Sequence, residues 1–338
     1  MQTSKVLPRL GAILLTYRCN AECDECCFEC SPDRNSPKFD IEKIKEFIDQ
    51  ISKKDGIQLL VWSGGECFLE YQTLTLGIDY AKKKGFNSRC VSNAFWASSI
   101  EQATKKLLPL KQSGLVELNF STGDSHQKFV PIERVMNATV AALQLGMKVF
   151  IAVESTSSSK FKPQDILENE LYVNNIRGRE LEKSFSIEPT VWVSFHDNNN
   201  YDYGEIIGNS GGCEGIFDTI SIEPSFGLMG CCGITSNHIQ ELHLGKISEG
   251  NVYERYLAQQ DDFLKLWIFT EGPEVIVKQA SEWLGVDAPK FYHKCLYCAY
   301  LYQSNEIRSA IAENYHFVEE RVLKKYQTET VLQSAFTS

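Results

Sequence analysis

The sequence has no apolar run near the roughly 20 residues that a membrane span needs. Residues 11–16 are apolar, but that run is short and is followed by charge. No positive amino-terminal region is followed by an apolar stretch and a small-residue cleavage site, so the pattern of a secretory signal is missing. No basic block exists either: Lys plus Arg number 34 against 44 Asp plus Glu, for a net charge of −10. Such a balance is poorly suited to gripping a phosphate backbone. These absences predict a cytoplasmic chain with no membrane and no nucleic-acid partner. Internal repeats and low-complexity tracts are lacking too. What the chain has in quantity is cysteine, 12 in 338 residues. In a reducing compartment disulfides are rare, so clustered cysteines point to metal binding or catalysis.

With 43% apolar residues the chain builds a core without disulfide help. Its length suits two domains of about 150 residues or one barrel. Over the first 195 residues short β-branched runs alternate with amphipathic stretches. The strand candidates are 11–16, 57–62, 88–92, 116–121, 148–154 and 185–193. The helix candidates are 41–53, 71–84, 100–112, 133–145 and a weaker one near 164–171. Ile44, Phe47, Ile48 and Ile51 recur at the spacing of a helix packed on a sheet. Gly56, Gly85, Gly114 and Gly146 each close a helical stretch where a left-handed cap is wanted. Six βα units in series predict an α/β fold with a parallel sheet and right-handed crossovers, in the form of a partial (βα)6 barrel. Residues 197–212, rich in Asn, Gly and Tyr, read as a loop. The expected division is 1–196 for the barrel, 197–304 for a cysteine-rich extension and 305–338 for a terminal helix and tail.

Cys19, Cys23 and Cys26 follow the first strand in LLTYRCNAECDECCFECSP. Loops at the carboxyl ends of parallel strands are where such folds place their chemistry. Three thiolates on one short loop hold three irons of a four-iron cluster and leave the fourth without a protein ligand. An open position of that kind marks a catalytic metal site. Gly64, Gly65 and Glu66 follow the second strand in VWSGGECFLE, and Ser92 and Asn93 end the third. A carboxylate suits an ammonium group, and glycines let backbone approach a ligand. The alternative for the cysteine loop is a structural zinc on Cys19, Cys23, Cys26 and either Cys27 or Cys30, which would leave the GGE turn without a purpose. Cys27, Cys30, Cys67 and Cys90 read as small packing residues.

A second group, Cys213, Cys231, Cys232, Cys295 and Cys298, falls in the extension. The C-x2-C pair at 295 and 298 and two distant thiols complete a four-cysteine shell for a structural zinc or a second four-iron cluster, with one thiol left over. Neighbouring side chains on extended backbone point in opposite directions, so of Cys231 and Cys232 one is free when the other is a ligand. Asp124 and His126, past the fourth strand, are candidates for substrate binding or proton transfer.

Cysteine triplet, GGE and SNA, in that order and each at a strand end, resemble the radical S-adenosylmethionine superfamily. The resemblance implies a [4Fe-4S] cluster on Cys19, Cys23 and Cys26 that binds S-adenosyl-L-methionine. It implies that Gly64, Gly65 and Glu66 meet the ligand's amino group, and that Ser92 and Asn93 meet its ribose and carboxylate. Ser121 and Glu154 fall at further ribose positions. The residue before the third cysteine is usually aromatic in that family and packs near the adenine; here it is Glu25, with Phe28 as the candidate substitute. Auxiliary clusters commonly accompany this barrel, which favours a second [4Fe-4S] cluster on Cys213, Cys231, Cys295 and Cys298. RCNAECDECCFECSP, SGGECFLEY, SNAFW, DSHQKFV, the vicinal pair and the late C-x2-C are similar to epipeptide epimerases, radical enzymes that convert L-residues to D-residues in ribosomal peptides. By that likeness a 5′-deoxyadenosyl radical takes an α-hydrogen, Cys232 returns a hydrogen, and Asp218 is a nearby acidic residue. A flavodoxin or ferredoxin would be the electron donor. The rival readings are a cross-linking or dehydrogenating enzyme of the same superfamily and an iron–sulfur sensor or electron-transfer protein.

Overall fold

The computed structural model describes residues 5–37, 40–52, 56–192 and 211–337. Its centre is one nine-stranded sheet in the order β6-β5-β4-β3-β2-β1-β7-β8-β9. The first six strands are β1 (Leu10–Leu14), β2 (Leu59–Ser63), β3 (Asn87–Ser92), β4 (Leu115–Thr122), β5 (Lys148–Glu154) and β6 (Phe185–Thr190). All five pairings among them are parallel. Helices α1 (Ile41–Ile51), α2 (Tyr71–Lys83), α3 (Ile100–Ser113) and α4 (Ile132–Gln144) fill the first four crossovers. Two short helices, α5 (Pro163–Leu167) and α6 (Glu170–Asn175), fill the fifth, where the sequence shows only a weak helical pattern. The predicted partial (βα)6 barrel is thus present as an open sheet rather than a closed ring.

The local reasons are ordinary ones. Asp40 caps α1 by accepting from the Glu42 amide, and Ser99 caps α3 by accepting from Gln102. Gly114 ends α3 in the left-handed conformation, as its position in the sequence requires. Ile44, Phe47, Ile48 and Ile51 are fully buried against the outer face of the sheet. Gly77 of α2 lies where a Cβ would come within 2.5 Å of the Trp62 ring, so this helix can press onto β2 only with glycine there.

The extension does not stand apart from the barrel sheet. After α7 (Gly215–Asp218), strand β7 (Thr219–Ile222) pairs parallel with β1. Strands β8 (Gly227–Met229) and β9 (His243–Lys246) then continue the sheet antiparallel. A second apolar core gathers around Phe217, Trp267, Ile276, Tyr297 and Leu301. It is built from α9 (Phe263–Glu271), α10 (Pro273–Leu284), α11 (Lys294–Gln303), α12 (Asn305–Asn314) and α13 (Glu319–Thr337), while α8 (Val252–Ala258) packs on α1. Glu271 ties α9 to α13: it accepts from Trp267 Nε1 on its own helix and from Arg321 and Lys325 on the other. Most of the Asn/Gly-rich stretch and the end of the sixth strand candidate, Val193, lie outside the described residues. Among the described residues no helix is long and apolar enough to cross a membrane.

Candidate active site

The cysteine loop leaves the carboxyl end of β1 and is locked to the turns after β2 and β3. The Gly65 amide donates to Thr16 O at 2.6 Å, and the Glu66 amide donates to Arg18 O at 3.0 Å. A Cβ on Gly64 would lie 2.4 Å from Thr16 O, and one on Gly65 would lie 2.2 Å from Arg18 O. Gly64 also has a φ of +131°, which favours glycine. The glycines therefore let two loops of the chain meet, where the sequence suggests close approach of a ligand. Glu66 is likewise turned inward. Its carboxylate is wholly buried and accepts from Phe68 N, Ser92 Oγ and Asn93 N. Burial is the largest influence on it and raises its pKa to about 7 against those hydrogen bonds. The side chain of Glu66 thus holds the second and third turns together, and an ammonium ligand would be met by the carbonyl oxygens of the turn it shapes.

Ser92 and Asn93 serve the same scaffold. Ser92 Oγ accepts from Ala94 N and Trp96 Nε1 while donating to Glu66. Asn93 Nδ2 donates to Asn20 Oδ1 at 3.0 Å and lies 3.6 Å from Cys19 Sγ. The third turn is therefore in hydrogen-bond contact with the cysteine loop itself. Ser121, half-buried near the end of β4, and Glu154, buried at the end of β5, complete the row of strand ends. Glu154 accepts from Ser125 N, and it fits only because Gly123 has no Cβ.

Cys19 and Cys23 are buried and Cys26 half-buried. Burial pushes Cys19 up to about 12, with Glu66 and Cys26 adding to it and the Ala21 and Asn20 amides acting the other way. Cys23 is pushed higher still by burial, by Glu25 and by the other two thiols. Cys26 goes the other way, because the Cys30 thiol and amide both donate to its sulfur. Cys30, expected as a packing residue, is thus a hydrogen-bond donor to a candidate ligand. Cys67 and Cys90 are fully buried packing residues, as expected. Cys19 and Cys23 resist ionisation and need a cation to become thiolates, which is what a metal centre supplies, while Cys26 is already eased toward its thiolate.

The extension brings Cys213, Cys231, Cys295 and Cys298 to the lining of one recess, with Ile216, Leu242 and Ile268 as its apolar wall. Cys295 and Cys298 lie three residues apart on the first turns of α11, so they share a face. His293 caps that helix, its Nδ1 accepting from the Cys295 amide, and burial keeps the ring's pKa low. Burial raises Cys231, Cys295 and Cys298, with Cys295 reaching about 11. Lys265, which the sequence does not single out, is 4% exposed and feels the charges of Cys231 and Cys298. Among the described residues no three cysteine sulfurs gather within 4.8 Å.

Cys232 does not line that recess. It is exposed, yet surrounded closely enough that desolvation raises its pKa, with a hydrogen bond to Thr219 acting the other way. Thr219 opens β7, level with Leu10 at the amino end of β1. Asp218 is close by, and Arg9 Nε donates to its carboxylate at 2.5 Å. Asp124 is spent on a loop, accepting from Lys160 N and Phe161 N. His126 Nδ1 lies 2.6 Å from Glu25 Oε1, and its ring rests 4.8 Å from that of Trp192. Phe28 packs on Tyr17.

No family model matches the sequence. Over 126 residues the chain is 30% identical to the putative peptide biosynthesis protein YydG of Bacillus subtilis (strain 168). That match spans 37% of this chain and 39% of the relative, so only about two fifths of the relative's length is compared. Among solved structures, native anSMEcpe with bound AdoMet and the Cp18Cys peptide aligns at a TM-score of 0.51 and 12% identity, over 95% of this chain and 99% of that one. A polyhistidine-tagged anSMEcpe with bound AdoMet aligns at the same TM-score and identity, over 89% and 98%. At such identity these alignments establish the fold. In its fold and in the strand-end placement of its cysteine loop, GGE turn and SNA turn, the chain resembles the radical S-adenosylmethionine enzymes.

Proposed function

We propose that this chain is a radical S-adenosylmethionine enzyme that inverts an L-residue of a ribosomally made peptide. The observation that carries the reading is the hydrogen-bonded unit at the carboxyl ends of β1, β2 and β3. There the loop that carries Cys19, Cys23 and Cys26 meets the 64–66 and 92–93 turns. When bound, a four-iron cluster and S-adenosylmethionine supply a carbon-centred radical able to take an α-hydrogen from a substrate. The chain's own part is to position and to return hydrogen. Backbone carbonyls of the 64–66 turn would take the ligand's ammonium, with Ser121 and Glu154 near its ribose.

Cys232 would donate its hydrogen atom: the S–H bond breaks, a C–H bond forms, and the thiyl left behind takes one electron and one proton. The electron would come from an external donor of the flavodoxin or ferredoxin class; Cys213, Cys231, Cys295 and Cys298 would hold an auxiliary cluster, which would supply one-electron chemistry. A raised pKa suits this role, because it keeps the S–H intact. YydG is named as a peptide biosynthesis protein and anSMEcpe was solved with a peptide, and both support a peptide substrate.

The test uses candidate peptides in deuterated buffer. Wild-type protein is expected to place one deuterium on the inverted carbon. Cys232→Ala is expected to keep its iron and to form 5′-deoxyadenosine without a D-residue. D-residue formation at the wild-type rate in Cys232→Ala removes the epimerase reading in favour of a cross-linking or dehydrogenating enzyme, whose product mass falls by two hydrogens.

A further inference from the structure

Glu25 sits between two cysteines of the loop after β1 and is 2% exposed. Neither oxygen of its carboxylate receives an aligned hydrogen bond from a described residue. The nearest polar group across from it is the His126 ring, whose Nδ1 lies 2.6 Å away but off the hydrogen-bond axis, so that nitrogen is unmatched too. A buried carboxylate short of donors is costly, and its retention in a fold marks a place where something else supplies them.

Neighbouring groups are already engaged. Ser125 Oγ accepts from Asp24 N, Ser125 N donates to Glu154, and Lys128 pairs with Asp24. One ring faces the carboxylate, His126, just past β4, and a second, Trp192, just past β6, lies 4.8 Å from the His126 ring. Carboxyl ends of parallel strands are where such sheets take ligands. A cation is the rival occupant, because Cys23 Sγ, Glu25 and His126 lie within 4.8 Å of one another. Binding there would withdraw Cys23 from its triplet, whose other two thiols would then be left without a third.

We propose that Glu25 is the acceptor for the adenosyl portion of S-adenosylmethionine, taking N–H or O–H donors from its base or ribose while Trp192 gives the base a flat wall. The proposal rests on the cofactor reading above. It explains why a carboxylate stands where the resembled family usually has an aromatic: stacking passes to Trp192, and the cysteine loop gains a charged acceptor.

The experiment measures binding without turnover, by equilibrium dialysis of iron-reconstituted protein. Probes are S-adenosylhomocysteine, S-inosylhomocysteine, which carries a carbonyl in place of the 6-amino group, and 2′-deoxy-S-adenosylhomocysteine. Glu25→Gln, nearly isosteric, is expected to keep its iron and bind S-adenosylhomocysteine about tenfold or more weakly. Its ligand-free thermal midpoint should rise, since a merely structural carboxylate would not improve stability when neutralised.

If the base is the donor, wild-type protein binds the inosyl probe about tenfold more weakly and Glu25→Gln narrows that ratio, because an amide can donate to the carbonyl. If the ribose is the donor, the 2′-deoxy ratio narrows instead. Unchanged S-adenosylhomocysteine affinity in Glu25→Gln overturns the proposal and leaves the cofactor reading standing. So does loss in that variant of a metal ion bound in excess of the cluster iron, which would assign the site to a cation. Should the variant fail to hold iron, equal wild-type affinity for all three probes overturns it. Failure of wild-type protein to bind any of them overturns the cofactor reading itself.

Discussion

The two cysteine sets are built by opposite strategies. Cys19, Cys23 and Cys26 come from one loop, held in place by backbone hydrogen bonds to the next strand's turn. Cys213, Cys231, Cys295 and Cys298 come from three separate places: ahead of α7, after β8, and on α11. The first set has buried acids for neighbours, Glu25, Glu66 and Glu154, while the second has the buried cation Lys265. A contiguous loop offers three ligands cheaply and leaves a coordination position open, the arrangement a reacting ligand needs. A shell gathered from distant segments is closed by the fold, the arrangement that stores or passes electrons. The difference predicts chemistry at the first set and structural and electronic support at the second.

The sharpest way to break that contrast is to remove the first set. Replacing Cys19, Cys23 and Cys26 by Ala should abolish 5′-deoxyadenosine formation altogether while about half of the roughly eight irons expected for two four-iron clusters remains. Anaerobic reconstitution with iron and sulfide assay reads both, and persisting cleavage would end the contrast. Removing a ligand from the second set should be milder. Cys298→Ser is expected to lose up to half the iron yet still cleave S-adenosylmethionine on the first cluster; one equivalent of zinc in wild-type protein with only about four irons would instead make the second site structural.

Lys265→Met sharpens the electrostatic side. Taking a positive charge away disfavours adding an electron, so the second cluster's reduction potential should become more negative by roughly tens of millivolts, with the first unmoved. Potentiometric titration followed by electron paramagnetic resonance separates the two. The smallest effect belongs to Glu66. Its pKa of about 7 in the fold lies above the ordinary glutamate value of 4.5, so the unfolded chain gives up this proton first. Stability owed to it is present below about pH 4.5 and is lost as pH rises to about 7. Glu66→Gln should flatten that slope in the thermal midpoint of the cluster-free chain, whatever it does to the midpoint itself.

How much of this could be read beforehand follows from the range of the interactions involved. Periodicity within a segment is local, so the six βα units were legible, and the strand at 148–154 coincides with the one observed. The fifth crossover was legible only faintly, because α5 and α6 are five and six residues long, too short to show a stripe. Strands β7 and β8 have four and three residues and no alternation to detect; only pairing with β1 makes them part of the barrel sheet.

The same division runs through the sites. Cysteine spacing names the first set without a structure, because eight consecutive residues carry all three thiols. Which of two adjacent cysteines faces the second recess is not written in their order, and the fold decides it by turning Cys231 inward with Cys295 and leaving Cys232 beside Thr219. Sequence likewise places Glu66 in a motif, while tertiary contact makes its carboxylate a clasp between two turns. Local chemistry and short-range periodicity are properties of the chain. What a buried charge faces depends on residues far away along it, and only the folded structure brings those together.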